Sequence, residues 1–113
     1  MTPVEAIAAK YEREGVSFRA VLESHLLHGY VFSGPSWFVM GRAVQSTATA
    51  SELLDFTHPF PTPDAWLITA AAGDWCAALR LFPRPLPWVL WQRRGQWRRW
   101  RFESLLARMK STV

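Results

Sequence analysis

Hydrophobic side chains recur at helical spacing in the first quarter of the chain and at strand spacing afterwards, with the change at Gly29. Val4, Ile7, Ala8 and Tyr11 follow Pro3 at steps of three and four up to Gly15, which predicts a first helix entered through proline. Ser17 is placed to cap a second helix, whose apolar face would hold Phe18, Val21, Leu22, His25 and Leu26 before Gly29 ends it. Beyond Gly29, Tyr30-Val31-Phe32 and Trp37-Phe38-Val39-Met40 flank the turn cluster Ser33-Gly34-Pro35-Ser36 and read as a β-hairpin. Pairing Ser33 with Ser36 puts Tyr30, Phe32, Trp37 and Val39 on one face and Val31, Phe38 and Met40 on the other. Both faces are apolar, so the hairpin needs cover on two sides, and a second copy of the chain is one candidate for the second cover.

The small polar run 45–51 predicts an exposed loop, with Ser51 capping a single turn through Glu52, Leu53 and Leu54. His58-Pro59-Phe60-Pro61-Thr62-Pro63 has proline at alternate positions and must be an extended connection rather than a helix or a central strand. Residues 65–71 are apolar without alternation, the pattern of a strand buried on both faces. Gly73-Asp74 then offers a turn and a helix N-cap, and Trp75 to Phe82 predicts a short helix ended by Pro83, Pro85 and Pro87.

The stretch from Trp88 to Phe102, WVLWQRRGQWRRWRF, predicts a second hairpin with Arg94-Gly95 at its tip. Closing it there pairs Arg93 with Gln96 and Trp91 with Arg98. One face then holds Val89, Trp91, Trp100 and Phe102, with Arg98 near the tip, and is assigned to the core. The other holds Trp88, Leu90, Gln92, Trp97, Arg99 and Arg101 and is assigned to solvent or a partner. The competing reading is one helix from Gln96 to Lys110 with Phe102, Leu105, Leu106 and Met109 buried; the strand is preferred, with a helix beginning near Glu103 or Ser104. The whole pattern predicts a single α+β domain over residues 1–113: two helices, an aromatic hairpin, a buried strand, a short helix, a basic hairpin and a terminal helix.

Composition bounds this picture. With 113 residues the chain is about one domain, and half of its residues are hydrophobic, which excludes a disordered chain. No apolar run approaches the ~20 residues that cross a bilayer, and the N-terminus lacks the basic start and apolar core of a secretory signal, so a cytoplasmic protein is expected. The single cysteine, Cys76, sits in the apolar run WCAALRLF and reads as a small core residue. Charge is unevenly distributed: residues 1–79 hold four basic and eight acidic side chains, whereas residues 80–113 hold nine basic and one acidic. Arginine outnumbers lysine eleven to two, which favours bidentate and stacked contacts.

These features point to a partner rather than a reaction. Trp88, Arg93, Arg94, Trp97, Arg98, Arg99 and Arg101 are the candidate binding residues, for a nucleic acid whose phosphates meet arginine and whose bases stack on tryptophan, or for an acidic protein surface, including that of a second copy in a homodimer. Cross-strand pairing of arginine over tryptophan would explain the same composition with no ligand. The segment WRRWRF resembles tryptophan- and arginine-rich antimicrobial peptides, which implies contact with anionic lipid, but Val89, Trp91 and Leu105 should tie it into a core, so membrane is not an expected partner. His25 and His28 stand three apart with His58 as a conceivable third ligand, yet no carboxylate cluster or cysteine pair joins them, and neither a metal nor a cofactor is expected. No phosphate-binding glycine loop or nucleophile elbow is present, and no catalytic residue is assigned. The alternatives are a small enzyme with a pocket near His28, His58 and Asp74, and a peripheral binder of membrane surfaces.

Overall fold

The computed structural model describes residues 1–111, with side chains to residue 108. Its elements are α1 (Pro3–Arg13), α2 (Phe18–His28), β1 (Tyr30–Gly34), β2 (Trp37–Val44), α3 (Ala50–Leu54), β3 (Ala65–Gly73), a 3-10 helix (Trp75–Leu81), β4 (Trp88–Arg93), β5 (Gln96–Arg101) and α4 (Phe102–Ser111). The strands form one mixed sheet in sequence order, antiparallel except for the parallel pair β3–β4. This is the α+β architecture the hydrophobic pattern predicts. Among the described residues no helix is long and apolar enough to cross a membrane.

Helices cover both faces of the sheet. On one face Tyr30, Val39, Trp66, Ile68 and Val89 pack against Ala78 and Leu79 of the 3-10 helix, Phe82, and Phe102 and Leu105 of α4. On the other, Phe38 and Met40 meet Ile7 of α1 with half-buried Phe18, Val21 and Leu22 of α2, while Val44, Leu67 and Leu90 meet Leu53 of α3. The hairpin that is apolar on both sides is therefore covered twice by its own chain, which removes the argument that it needs a second copy.

Local details correct several expectations. The β1–β2 hairpin pairs Ser33 with Phe38 and Phe32 with Val39, two residues away from the expected register. A shift of two preserves the side-chain parity, so the two predicted faces stand. Leu26 is exposed rather than buried, because α2 lies over β1 and β2 on the Phe18–Val21–Leu22–His25 stripe and turns Leu26 away from it. The cap of α3 is Thr49, not Ser51: Thr49 Oγ1 accepts from the Glu52 N–H and the Glu52 carboxylate accepts from the Thr49 N–H, a reciprocal capping box. Asp74 stands at the N-cap position but makes no capping hydrogen bond, and the segment it opens is a 3-10 helix, confined between Gly73 in the left-handed region and Pro83. Residues 96–101 are a strand, and α4 begins at Phe102, one residue before the expected start. Of the competing helical stripe, the Met109 side chain lies outside the described residues.

Two features fix how the layers meet. Tyr30, paired with Gly41 on β2, sends its hydroxyl across that glycine to donate to the Leu67 carbonyl of β3 at 2.7 Å. A Cβ at position 41 would fall on the Leu67 carbonyl and the Tyr30 hydroxyl, so only glycine permits the crossing. The second feature is Arg42, 4% exposed and pointing toward the end of α3. Its Nη2 donates to the carbonyls of Glu52 (2.9 Å), Leu53 (3.1 Å) and Asp55 (2.8 Å), and its Nη1 to that of His58 (3.2 Å). The guanidinium lies over the Phe56 ring at 5.2 Å and the Phe60 ring at 5.1 Å. A helix end presents unpaired carbonyls with partial negative charge, and Arg42 supplies their donors from the neighbouring strand.

His25 lies alongside. It is fully buried, its ring edge-on to Phe56 at 4.5 Å, and its Nδ1–H donates to the Val21 carbonyl at 2.7 Å. Nε2 is then an unprotonated, buried nitrogen with no partner. Burial holds the His25 pKa below its ordinary value, the Val21 carbonyl opposes this, and the Arg42 charge adds to the lowering.

Replacing Arg42 with methionine is expected to destabilise the fold by about 3 kcal/mol, since each carbonyl left without a donor costs about 1–3 kcal/mol and loss of the buried charge returns part of that. The midpoint of urea unfolding measures it. His25 makes stability pH-dependent with a definite sign. Its folded pKa is depressed, so the unfolded chain takes up the proton first; the His25 contribution is complete above about pH 6.5 and declines as pH falls through that value toward the lower folded pKa. His25→Gln should flatten the fall in unfolding free energy between neutral and mildly acidic pH, as read by urea titrations at each pH.

Candidate functional site

The β4–β5 hairpin turns at Arg94 (φ 52°) and Gly95 (φ 79°), two successive left-handed residues whose turn matches the right-handed twist of the strands. The register is the expected one: Trp88 opposite Arg101, Val89 opposite Trp100, Leu90 opposite Arg99, Trp91 opposite Arg98, Gln92 opposite Trp97 and Arg93 opposite Gln96. The core face behaves as its pattern predicts. Val89 and Phe102 are buried, Trp91 and Trp100 pack 5.8 Å apart between ring centres, and Trp75 meets Trp91 at 6.3 Å. The Arg108 guanidinium, from α4, lies 4.7 Å over Trp100.

The opposite face is only partly open, which corrects the expectation for Leu90. That side chain is buried with Val44, Leu53 and Leu67, and Trp88 is half-buried against the same cluster. The Trp88 ring is also occupied: the Arg99 guanidinium stacks on it at 4.3 Å and that of Arg101 sits 5.4 Å away. Of the two tryptophans assigned to a partner, Trp88 is thus a platform for arginine, and Trp97, 36% exposed, is the free ring. Trp97 stands in a groove between the hairpin and α3. On one side of it a cleft of about 270 Å³ is bounded by Ser46, Ala48, Ala50 and Leu53 on one bank and Leu90, Arg98 and Arg99 on the other. Beyond it a smaller hollow of about 60 Å³ is lined by Leu54, Phe56 and Gln92.

The far bank is held rigidly. Asp64 accepts from the Ser46 N–H (2.6 Å) and hydroxyl (2.8 Å), tying the loop before α3 to the start of β3, while Arg42 ties the end of α3 to β2. Electrostatics divide the two banks. Among the described residues, the side chains of Arg93, Arg94, Arg98, Arg99 and Arg101 make no hydrogen bond or ion pair with a protein acceptor, leaving five uncompensated cations on one hairpin.

The residues of the enzyme reading do not come together. His58 Nε2 lies 3.0 Å from the Glu52 carboxylate and its ring packs on Phe60, at the α3 side of Arg42. Asp74 is bonded through its N–H to the Ser36 carbonyl, just before the opposite end of β2 and six residues, about 20 Å, from Arg42. His28 is exposed at the end of α2, while His25 spends Nδ1 on its own helix. Among the described residues no group of three His, Cys, Asp or Glu side chains is arranged to hold a metal. Cys76 is half-buried, and burial followed by the Asp74 charge pushes its thiol pKa up, away from reactivity.

Two contributors escaped the sequence patterns. Arg42 was one basic residue in an acidic region, with nothing nearby to mark it as buried. Thr69, the lone polar residue of the apolar run AWLITAAAG, proves to be a bulge. Comparison with protein-family models, with curated proteins and with solved structures finds no match to this chain.

The stacking of Arg99 on Trp88 is testable by itself. A double-mutant cycle of Arg99→Ala with Trp88→Leu should return a coupling of about 0.5–1 kcal/mol in thermal unfolding, the worth of a partly exposed cation–π pair.

Proposed function

We propose that the β4–β5 hairpin is a binding surface for a polyanion, and that the polyanion is single-stranded nucleic acid. The five arginines without protein acceptors carry this reading. Crowding five like charges onto one hairpin, with Arg99 and Arg101 on the face of Trp97 and Arg93 and Arg98 on the other, costs repulsion unless an anion relieves it, and arginine offers phosphate a bidentate contact. The contact with Trp88 supports the same reading, because Arg99 is held over the ring, 4.3 Å from its centre, and less of its freedom is left to lose on binding. Trp97 supplies one exposed indole beside Arg98 and Arg99, at the place where an unstacked base could lie while its phosphates follow the strand. The cleft of about 270 Å³ beside Trp97, between α3 and the hairpin, leaves room for such a base. An acidic protein surface, including the acidic side of a second copy, would use the same arginines but has no need of the free indole.

Fluorescence anisotropy with a labelled oligothymidylate of about 12 nucleotides tests this. Affinity should fall with salt at a slope of about 0.7 for each phosphate engaged, and Arg99→Glu with Arg101→Glu should weaken binding at least about tenfold. Arg93→Glu with Arg98→Glu, which leaves Trp88 and its stacked arginines in place, should do the same. Trp97→Ala should cost about 1–3 kcal/mol of binding, the usual worth of one stacked base. Salt-independent binding would end the proposal. Polyglutamate bound as tightly as DNA would transfer it to an acidic protein, and a charge-reversed variant that sediments as a smaller species than the parent would transfer it to a second copy.

A further inference from the structure

β3 and β4 run side by side for four residue pairs, from Ala65 with Trp88 to Ile68 with Trp91, and then part. The cause lies on the other side of β3. Met40 pairs with Ala70 and Gly41 with Ile68, so Thr69 is an extra residue with no partner on β2. Such a bulge bends its strand and raises the local twist. From that point β3 follows β2 as far as Gly73 while β4 follows β5 as far as Arg93, and the backbone edge of β3 facing β4 has no strand partner.

A cleft of about 340 Å³ occupies the opening, which is the size of a small organic ligand. It lies at the carboxyl ends of two parallel strands joined by a helical crossover, where backbone groups are left unpaired and side chains from several elements converge. Lys10 enters from α1, Thr69 from the bulge, Trp75 from the 3-10 helix, and Trp91, Gln92 and Arg93 from β4. The lining holds two cations and no carboxylate. Among the described residues neither the Lys10 nor the Arg93 side chain has a hydrogen-bond or ion-pair partner. Trp75 and Trp91 meet edge to face, and the Thr69 hydroxyl is buried without a partner beside the cleft.

We infer that this cleft binds a small planar anion: one aromatic or heteroaromatic ring bearing a carboxylate or a phosphate. The anionic group lies between Lys10 and Arg93, and the ring lies against Trp75 and Trp91. The site shares Arg93 with the arginines of the hairpin interface proposed above and Gln92 with the hollow beside Trp97, and it does not depend on that reading.

Isothermal titration calorimetry and proton–nitrogen correlation spectra of the full chain, with phenyl phosphate and benzoate as probes, test the inference. Both probes should bind and move the indole N–H signals of Trp75 and Trp91, whereas benzylamine, which has the ring without the anion, should not. Lys10→Gln and Arg93→Gln should each weaken phenyl phosphate about tenfold, the loss of one charge-assisted hydrogen bond. Inorganic phosphate should bind at least tenfold more weakly than phenyl phosphate if the rings contribute. The inference fails if benzylamine binds equally well, if the perturbed indole is that of Trp97, or if phenyl phosphate binding survives in the Lys10→Gln, Arg93→Gln double variant. Arg99→Glu with Arg101→Glu separates the two sites: it should abolish oligothymidylate binding and leave phenyl phosphate bound.

Discussion

The arrangement of one half of the molecule depends on a buried guanidinium whose hydrogen bonds all go to backbone carbonyls. Arg42 rises from the middle of β2 between two phenylalanine rings and gathers the carbonyls at and beyond the end of α3. A charge placed so deeply needs compensation, and here it comes from the negative end of a short helix and from two ring faces. The consequences spread outward. The helix stops where Arg42 collects its carbonyls, the 55–60 segment folds back over the guanidinium, Leu53 is held against Leu90, and His25, in the same layer, stays neutral. The end of α3 that faces Trp97 is set by this one side chain, as its start is set by Asp64 and Ser46.

The basic hairpin is best understood as a surface sorted by strand parity. One set of rings, Trp91 and Trp100 with Trp75, belongs to the core, and another, Trp88, is a seat for arginine. Most of the aromatic content that makes this stretch conspicuous is therefore structural. What the fold leaves over is a set of cations on both faces and at the tip of the hairpin and a single exposed indole, a smaller and more specific combination than the sequence displays.

Strand parity also explains how much could be read in advance. The β4–β5 register follows from the turn, because Arg94-Gly95 admits two left-handed residues in succession and every pair is then determined. In the first hairpin the turn sits one residue later than the pattern predicts and the register slips by two, yet the predicted faces hold, since an even slip leaves each side chain on its own side. Three features were not legible, each because it depends on distant parts of the chain. Arg42 is buried only because α3 ends beside it. Leu90 is covered only because Leu53 is carried there by the same contact. Thr69 is a bulge only in relation to the spacing of Met40 and Gly41 on another strand, and a polar residue in an apolar run does not disclose whether it is paired. In the candidate site, the arginines and Trp97 were visible from composition and alternation, whereas the groove and the cleft are properties of packing.

The parallel seam between β3 and β4 also bears on how the molecule is assembled. On one side of it lies a unit of α1, α2 and three antiparallel strands, and on the other a hairpin with a two-residue turn. The hairpin consists of contacts between chain neighbours, which form quickly and with little loss of chain entropy, whereas the pairing of β2 with β3 already spans residues 45–64. The four residue pairs that join them close a loop of comparable length through the 3-10 crossover, at a conformational cost the hairpin does not bear alone. Joining the two units is thus one of two long-range events in building the sheet, and the basic strand at its edge reaches its native surroundings only once that seam has closed.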